Sequence, residues 1–217
     1  MSGGEAVRVH VMEVGPLAVS CYIVEHVSTR KAVAIDPGGD GEAILGEIGR
    51  LRLSVDKILL THGHFDHVGA VGLLRKKTGA KVHLHPDDVE RMKTARRQGL
   101  MFGLSIPDTP PPDVLVEEGG RIPFEDREFL VAHTPGHTPG CVSYIMKSEK
   151  MAFVGDLIFA GSIGRTDLPG GDFDLLIRAV REKIFVLPDD TVLFPGHGPA
   201  TTVGEEKQSN PFFTGGW

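Results

Sequence analysis

The alternation of apolar and polar residues along the chain predicts a mixture of short strands and helices. Residues 31–35 form an apolar run of the length typical of a buried strand, whereas residues 40–53 repeat apolar side chains at helical spacing. By these criteria, strands are predicted at 6–14, 20–27, 31–35, 57–60, 81–84, 114–116, 121–124, 128–133, 142–146, 151–154 and 191–194. Helices are predicted at 40–53, 68–77, 86–97, 173–186 and 204–210.

Strand-rich runs followed by helices occur twice along the chain, which predicts two β-sheets packed face to face with helices outside. No internal repeat is visible between the two halves, so this prediction depends on the order of the elements. The proline-rich stretch 106–112 is either a domain linker or a surface loop or lid beside a site. Its short length and the similar character of its flanks favour the loop.

Composition narrows the class of protein. A chain of 217 residues with 41% hydrophobic content fits one large globular domain, residues 1–217. The net charge of −6 argues against a nucleic-acid partner. The amino terminus lacks the pattern of a signal peptide, and no apolar run is long enough to span a membrane. Only Cys21 and Cys141 are present, which suggests buried reduced thiols and a cytoplasmic protein.

The segment 61–67, Thr-His-Gly-His-Phe-Asp-His, places four potential metal ligands within six residues. It follows an apolar run that predicts a buried strand. In an extended stretch alternate side chains face the same way, so His62 and His64 can share one ion. Asp66 and His67 follow on the turn, displaced enough to reach a second ion.

Three more potential ligands follow predicted strands. His137, Asp156 and His197 each lie on a turn with neighbouring glycine or proline, just beyond a strand. Each alone could be a hydrogen-bonded loop residue. Because all three occupy strand ends, we expect them to converge with the first cluster at one edge of the fold and to bind metal.

The order His-x-His-x-Asp-His, His, Asp, His resembles the metallo-β-lactamase-fold hydrolases over residues 9–213. The resemblance implies an α+β fold, a four-layer αββα sandwich. It assigns His62, His64 and His137 to a first metal, and Asp66, His67 and His197 to a second, with Asp156 bridging both. The best-known subclass of true β-lactamases has cysteine where this chain has Asp156, which argues against antibiotic hydrolysis.

Within that superfamily, several stretches resemble short bacterial glyoxalase II, the hydroxyacylglutathione hydrolases. They are 36–40, 60–70, 101–104, 164–167, 195–199 and 204–212. The resemblance implies hydrolysis of a thioester such as S-lactoylglutathione by a metal-bound hydroxide, with Asp66 and Asp156 as catalytic carboxylates. Two divalent ions are expected; zinc fits the imidazoles, and the carboxylates also permit iron or manganese.

Arg165 falls where that family has a basic residue in contact with substrate. Its alternative role is an ion pair with Asp167 or Asp172. Long glyoxalase II enzymes have an added helical domain that contacts glutathione. No counterpart is seen before Trp217, so we expect weak affinity for the glutathione moiety.

Two other functions are consistent with the sequence. A persulfide dioxygenase of the same fold carries stretches like 135–141 and 164–167, and His62, His137 and Asp156 would supply its two-His, one-carboxylate iron site. A catalytically idle interaction domain would require a missing ligand, and none is missing. The expected partner is a small thioester, without nucleic acid or membrane, and the sequence leaves the oligomeric state open.

Several further polar residues receive structural interpretations. Asp36 ends a strand, and we expect it to orient the 62–67 loop by hydrogen bonds. His83 and His85 alternate along a predicted strand end and are interpreted as edge or second-layer residues that form at most a small side cluster. His133 is interpreted as a packed neighbour of the turn that carries His137.

Overall fold

The chain begins with three antiparallel strands, β1 (Val7–Val14), β2 (Val19–His26) and β3 (Lys31–Ile35). The structure is a computed structural model that describes residues 7–215. All eight residues of β2 are buried, as expected for a strand covered on both faces. The described residues form two compact units: residues up to Leu84 with Val89–Leu115, and His85–Asp88 with residues from Val116 onward.

The first unit continues with parallel strands that are separated by helices. β4 (Ser54–Leu59), β5 (Lys81–Leu84) and β6 (Val114–Leu115) extend the sheet, which within residues 7–215 has six strands in the order β1-β2-β3-β4-β5-β6. The intervening helices are α1 (Gly41–Leu51), α2 (Phe65–Val68), α3 (Val71–Thr78), α4 (Val89–Lys93) and α5 (Ala95–Met101). Because β3 and β4 are adjacent and parallel, the residues that follow them lie side by side at one edge of the sheet.

The second unit contains a mixed sheet whose strand order, over the described residues, is β14-β13-β10-β9-β8-β7. Its strands are β7 (Arg121–Phe124), β8 (Arg127–His133), β9 (Val142–Met146), β10 (Met151–Gly155), β13 (Val192–Pro195) and β14 (Thr201–Thr202). The pair β10–β13 is parallel and the others are antiparallel. The carboxyl ends of β10 and β13 therefore meet at one edge.

The remaining elements of this unit surround that sheet. A short hairpin, β11 (Ile158–Phe159) and β12 (Ser162–Ile163), follows β10. It leads to α6 (Phe173–Ala179), which continues as a π-helical turn over Val180–Ile184. Helices α7 (Val203–Ser209) and α8 (Pro211–Thr214) end the described chain. Short 3₁₀ turns occur at Pro86–Asp88 and Lys147–Glu149.

Each unit has its own apolar core. In the first, Ile23, Ile58 and Leu74 are fully buried in a cluster between sheet and helices. In the second, Leu176 and Leu193 lie in a comparable cluster. No helix in the part of the chain that the structure describes is both long and apolar enough to cross a membrane.

Most predicted strands are confirmed to within a few residues, as are the predicted helices at 40–53 and 204–210, but the other three predicted helices need correction. Residues 68–77 are divided between α2 and α3, and residues 86–97 form a 3₁₀ turn followed by α4 and α5. Residues 173–186 change from α-helix to π-helix after Ala179. The two-residue strands of β11, β12 and β14 and the short α8 were not predicted. Such elements are too short to show a period.

The proline-rich stretch 106–112 packs against the first unit. Ile106 is buried in its core, and the hydroxyl of Thr109 donates to the carbonyl of Met92 at 2.8 Å. Because residues 106–112 contribute to the core of the first unit, they belong to that unit and do not form a linker between the two. The surface-loop interpretation is therefore the correct one.

Candidate metal centre

The four ligands of the 62–67 motif lie together in the first unit. The segment leaves β4 in extended conformation, and α2 begins directly after His64, which has φ −68° and ψ 149°. The ring of His62 lies 4.8 Å from that of His64 and 4.1 Å from that of His67, between centroids. An oxygen of Asp66 lies 3.8 Å from Nε2 of His67. All three histidines are buried, so the motif forms a compact set of imidazole and carboxylate donors.

Asp36 holds this motif in place, as the sequence predicts. Its Oδ1 accepts the backbone N–H of Thr61 at 2.8 Å, and its Oδ2 accepts the Thr61 hydroxyl at 2.6 Å. Oδ2 also lies 3.0 Å from Nδ1 of His67. Asp36 is 2% exposed and has a positive φ of 48°, a conformation that costs an L-residue roughly 1 kcal/mol.

These hydrogen bonds determine which nitrogen of two histidines has its lone pair available. An ionised carboxylate only accepts, so Nδ1 of His67 carries the proton in the bond to Asp36. The Thr61 hydroxyl proton is directed to Asp36, so Nδ1–H of His62 donates to the Thr61 oxygen at 3.1 Å. A metal would then bind Nε2 of each ring, the arrangement that hydrogen-bonded metal ligands usually show.

His64 has a different partner. Nη1 of Arg91 lies 3.3 Å from its Nε2. A guanidinium only donates, so this contact uses the Nε2 lone pair. A metal would either replace Arg91 at Nε2 or bind Nδ1 after the ring exchanges tautomers. Sequence reasoning did not identify Arg91, whose position on α4 gives no local signal.

Two glycines allow the backbone to approach the motif closely. A Cβ on Gly38 would lie 1.6 Å from the carbonyl oxygen of Asp66. A Cβ on Gly69 would lie 2.3 Å from the carbonyl oxygen of Gly38. No side chain fits at either position, so the turn after β3 is packed backbone to backbone against both ends of α2.

The remaining three predicted ligands lie together in the second unit. Asp156 follows β10 and His197 follows β13, and the N–H of Gly196 donates to the carbonyl of Gly155 at 2.8 Å. Oδ2 of Asp156 lies 3.6 Å from Nε2 of His137 and 3.7 Å from Nε2 of His197. The carboxylate is thus positioned between two imidazoles.

Arg165 contributes to this second set through its backbone. Nδ1 of His137 donates to the carbonyl of Arg165 at 2.8 Å, which leaves the Nε2 lone pair of His137 directed to the Asp156 side. The guanidinium forms a two-pronged pair with Asp167, at 2.8 and 2.9 Å. Hydrogen bonding to Arg165 lowers the pKa of Asp167 to about 2. The ion pair with Asp167, one of the two roles expected for this residue, is therefore the one observed here.

Asp88 is a buried residue that sequence reasoning missed. Its Oδ2 accepts the hydroxyl of Thr138 at 2.8 Å, and its Oδ1 accepts the backbone N–H of Gly140 at 3.0 Å. Both partners lie within three residues after His137, so Asp88 fixes the turn that carries this potential ligand. The only sequence signal was an acidic pair after Pro86, which is usually the exposed first turn of a helix.

The donors in both units fit divalent metals. Imidazole nitrogens suit zinc and iron, and carboxylate oxygens extend the choice to manganese. The hydrogen bonds to Nδ1 fix three of these rings, His62, His67 and His137, before any ion binds. This chemistry agrees with the ligand types expected from the sequence.

Comparison with known proteins identifies the family. The family described as the metallo-beta-lactamase superfamily matches residues 14–197. The hydroxyacylglutathione hydrolase GloC of Haemophilus influenzae is 41% identical over 185 residues, which cover 84% of this chain and 87% of that protein.

Two solved structures are similar over nearly the whole chain. The BLEG-1 B3 metallo-beta-lactamase has a TM-score of 0.90 and 39% identity, covering 95% of this chain and 100% of that one. TTHA1623 in a di-iron-bound form has a TM-score of 0.88 and 42% identity, covering 94% and 100%. The predicted α+β metallo-β-lactamase sandwich is confirmed. The chain therefore belongs to the metallo-beta-lactamase superfamily.

Proposed function

We propose that this chain is a metal-dependent hydrolase of thioesters, with S-lactoylglutathione as the representative substrate. Membership in the superfamily supports metal-dependent hydrolysis as the general activity. The proposal of a thioester as the substrate rests on the 41% identity with a hydroxyacylglutathione hydrolase along most of both chains. The complete order of seven ligands in the sequence supports it.

The proposed ligands follow the family order. His62, His64 and His137 would hold one ion, and Asp66, His67 and His197 a second, with Asp156 shared. Two bound divalent ions would supply an activated water and polarise the thioester carbonyl. The position of Asp156 between the imidazoles of His137 and His197 supports the shared role.

Hydrogen bonds from surrounding residues would keep three of the proposed ligand imidazoles in a single tautomer. Asp36, Thr61 and the carbonyl of Arg165 hold three imidazoles in the tautomer that presents Nε2. A thiol has a pKa of about 8.5, so a thiolate leaves without obligatory protonation. No side chain is then required as a general acid, which agrees with a site composed of metal ligands.

Zinc is the proposed resident metal, and iron is the principal competitor. Imidazole-rich sites suit zinc, whereas TTHA1623 was found with two iron ions. Iron would also serve the persulfide dioxygenase, which two stretches of the sequence resemble, 135–141 and 164–167. The metal and the reaction must therefore be measured on the same sample.

Three assays on one metal-analysed preparation test the proposal. We expect about two divalent ions per chain, and hydrolysis of S-lactoylglutathione that a chelator abolishes and zinc restores. A cephalosporin serves as the competing substrate because BLEG-1 is a β-lactamase. Oxygen uptake with glutathione persulfide tests the dioxygenase. Faster turnover of either competing substrate, or thioester hydrolysis that persists without metal, would refute the proposal.

A further inference from the structure

A second group of potential metal ligands lies in the second unit, at the end of β8. We propose that His85, Asp87 and His133 form a peripheral site for one divalent transition-metal ion. Each offers a donor atom, and these atoms lie within 4.8 Å of one another. Nδ1 of His85 is 3.8 Å from Oδ2 of Asp87. None of the three belongs to the seven-ligand set above, so this proposal is independent of the proposed function.

Local structure brings these residues together. The 3₁₀ turn at Pro86–Asp88 folds the chain back, and the N–H of Asp88 donates to the carbonyl of His85 at 3.1 Å. This turn places Asp87 next to the ring of His85. The ring of His133, at the last position of β8, stacks on that of His85 with 4.3 Å between centroids and 7° between planes.

The hydrogen bonds leave Nδ1 of both rings as the nitrogen with a lone pair. Nε2 of His133 lies 2.8 Å from the carbonyl of Pro139, which only accepts, so Nε2 carries the proton. Nδ1 of His85 accepts the backbone N–H of Asp87 over a long 3.3 Å. An ion at His85 would replace that weak bond. Two imidazole nitrogens and one carboxylate oxygen would then hold the ion.

The charges around His85 favour a cation. Burial, with His133 next to it, lowers the pKa of His85, so its ring is neutral near pH 7 and need not lose a proton to bind metal. The carboxylates of Asp87, Asp88 and Glu117 act in the opposite direction on that pKa, because they supply negative potential at the ring. The same potential attracts a metal ion.

Metal binding at this site requires one of the two stacked imidazole rings to move. A ligand ring holds its metal close to the ring plane, so two parallel rings cannot both point to one ion until one tilts. His133 is half-buried and the side chain of Asp87 is 58% exposed, so the solvent side of the stack can open. Imidazole with carboxylate selects Zn²⁺, Ni²⁺, Co²⁺ or Cu²⁺ over Mg²⁺ or Ca²⁺.

A Ni²⁺ titration followed by NMR tests this site. The protein is first loaded with zinc and freed of excess, so that stronger sites are occupied. We expect paramagnetic Ni²⁺ to broaden the imidazole signals of His85 and His133 at substoichiometric addition, with one ion bound per chain. His133→Gln and Asp87→Asn should each weaken Ni²⁺ binding at least about tenfold, since even indirect changes around a metal cost 10–100-fold.

The controls separate this site from other imidazoles and from misfolding. His10→Gln removes a histidine that pairs with Glu25 at 2.7 Å in the first unit, and it should leave Ni²⁺ binding unchanged. Asp87→Asn changes an exposed side chain and keeps its shape, so its effect does not depend on refolding. Unchanged Ni²⁺ affinity in Asp87→Asn and His133→Gln, or no uptake by the zinc-loaded wild type, would overturn the proposal.

Discussion

Asp36 and Thr61 are joined by two hydrogen bonds, one from the Thr61 backbone N–H at 2.8 Å and one from its hydroxyl at 2.6 Å. Asp36 directly follows strand β3. Thr61 is the second residue after β4, the strand that is parallel and adjacent to β3. The N–H of Asp36 also donates to the carbonyl of Leu59 at 3.1 Å. The first residue of the 61–67 motif is thus bound to the end of the adjacent strand, which anchors the start of the segment that carries His62, His64, Asp66 and His67.

Replacing Asp36 by asparagine should weaken metal binding while preserving the fold. The amide oxygen can replace only one of the two carboxylate oxygens, so either the Thr61 N–H loses its acceptor, or the Thr61 hydroxyl and Nδ1–H of His67 lose theirs. We expect metal affinity to fall about 10–100-fold, as for other residues that orient metal ligands. Chelator competition measures this, and circular dichroism checks the fold. Asp56→Asn, an exposed carboxylate beside Lys57, is the matched control. Wild-type affinity in Asp36→Asn would contradict the orienting role.

A methyl group at Gly38 should displace the backbone of the 62–67 motif. Its Cβ would lie 1.6 Å from the backbone oxygen of Asp66, so α2 has to shift. We expect Gly38→Ala to lose about 1–3 kcal/mol of unfolding free energy and most of its metal. Gly46→Ala is the control, because nothing lies within 4 Å of its Cβ on helix α1.

The same substitution should therefore have opposite effects at the two glycines. Alanine at position 46 should stabilise the helix by about 0.5–1 kcal/mol and leave metal content unchanged. Denaturant unfolding and metal analysis of both variants give the answer. Equal metal content in the two would show that the close approach at Gly38 has no influence on the ligands.

Asp88 should act on metal retention through the turn that carries His137. Asp88→Ala leaves the Thr138 hydroxyl and the Gly140 N–H without their buried acceptor, at about 1–3 kcal/mol for such a group. We expect lower stability and faster loss of metal to a chelator. Asp88→Asn keeps an acceptor for Gly140 and should recover part of both.

The exposed Asp190 supplies a control for this comparison, and Asp190→Ala should behave as wild type in both assays. The role assigned to Asp88 requires metal loss that exceeds what the drop in stability explains. If Asp88→Ala and Asp88→Asn release metal at the wild-type rate, Asp88 serves only the fold.

Arg165 is predicted to hold an anionic part of the substrate, and to do so it must leave Asp167. Arg165→Ala should raise KM for S-lactoylglutathione by about tenfold or more, with unchanged metal content, since tenfold corresponds to ~1.4 kcal/mol. Asp167→Asn releases the guanidinium and should lower KM. Steady-state kinetics on both variants separates substrate binding from a purely structural ion pair, for which neither variant would change KM.

The pKa of Asp167 sets the pH range over which the effect of Arg165→Ala on KM should be constant. Its pKa is lowered to about 2, so the pairing is fully present above the ordinary carboxyl range and is lost only as pH falls through about 2. Neither member of the pair titrates between pH 5 and 9. The ratio of KM between Arg165→Ala and wild type should therefore be constant over that range.

The features that could be predicted from sequence are those whose cause is local. His62, His64, Asp66 and His67 lie within one six-residue segment, and one strand end and one short helix position all four. Asp36 was predicted because it also ends an apolar strand. Strands such as β9, which is mostly apolar and buried along its whole length, were predicted on the same local grounds.

The features that could not be predicted depend on distant residues. Asp88 meets Thr138, 50 positions away, and no periodicity marks that contact. The burial of its carboxylate also explains why the predicted helix from Pro86 begins as a 3₁₀ turn, with Asp88 directed inward. Similarly, Arg91 contacts His64 across 27 positions, and the helical pattern predicted at 86–97 does not indicate that contact.

The positive φ of Asp36 is a conformation that glycine adopts without strain, yet glycine at this position would leave the backbone N–H and hydroxyl of Thr61 and the Nδ1–H of His67 without their buried acceptor. Each group left without its acceptor costs about 1–3 kcal/mol, so their sum exceeds the roughly 1–2 kcal/mol of backbone strain that glycine would relieve. The strained backbone of Asp36 is therefore more than offset by the hydrogen bonds of its carboxylate, and Asp36→Gly should destabilise the protein in the absence of metal as well as in its presence.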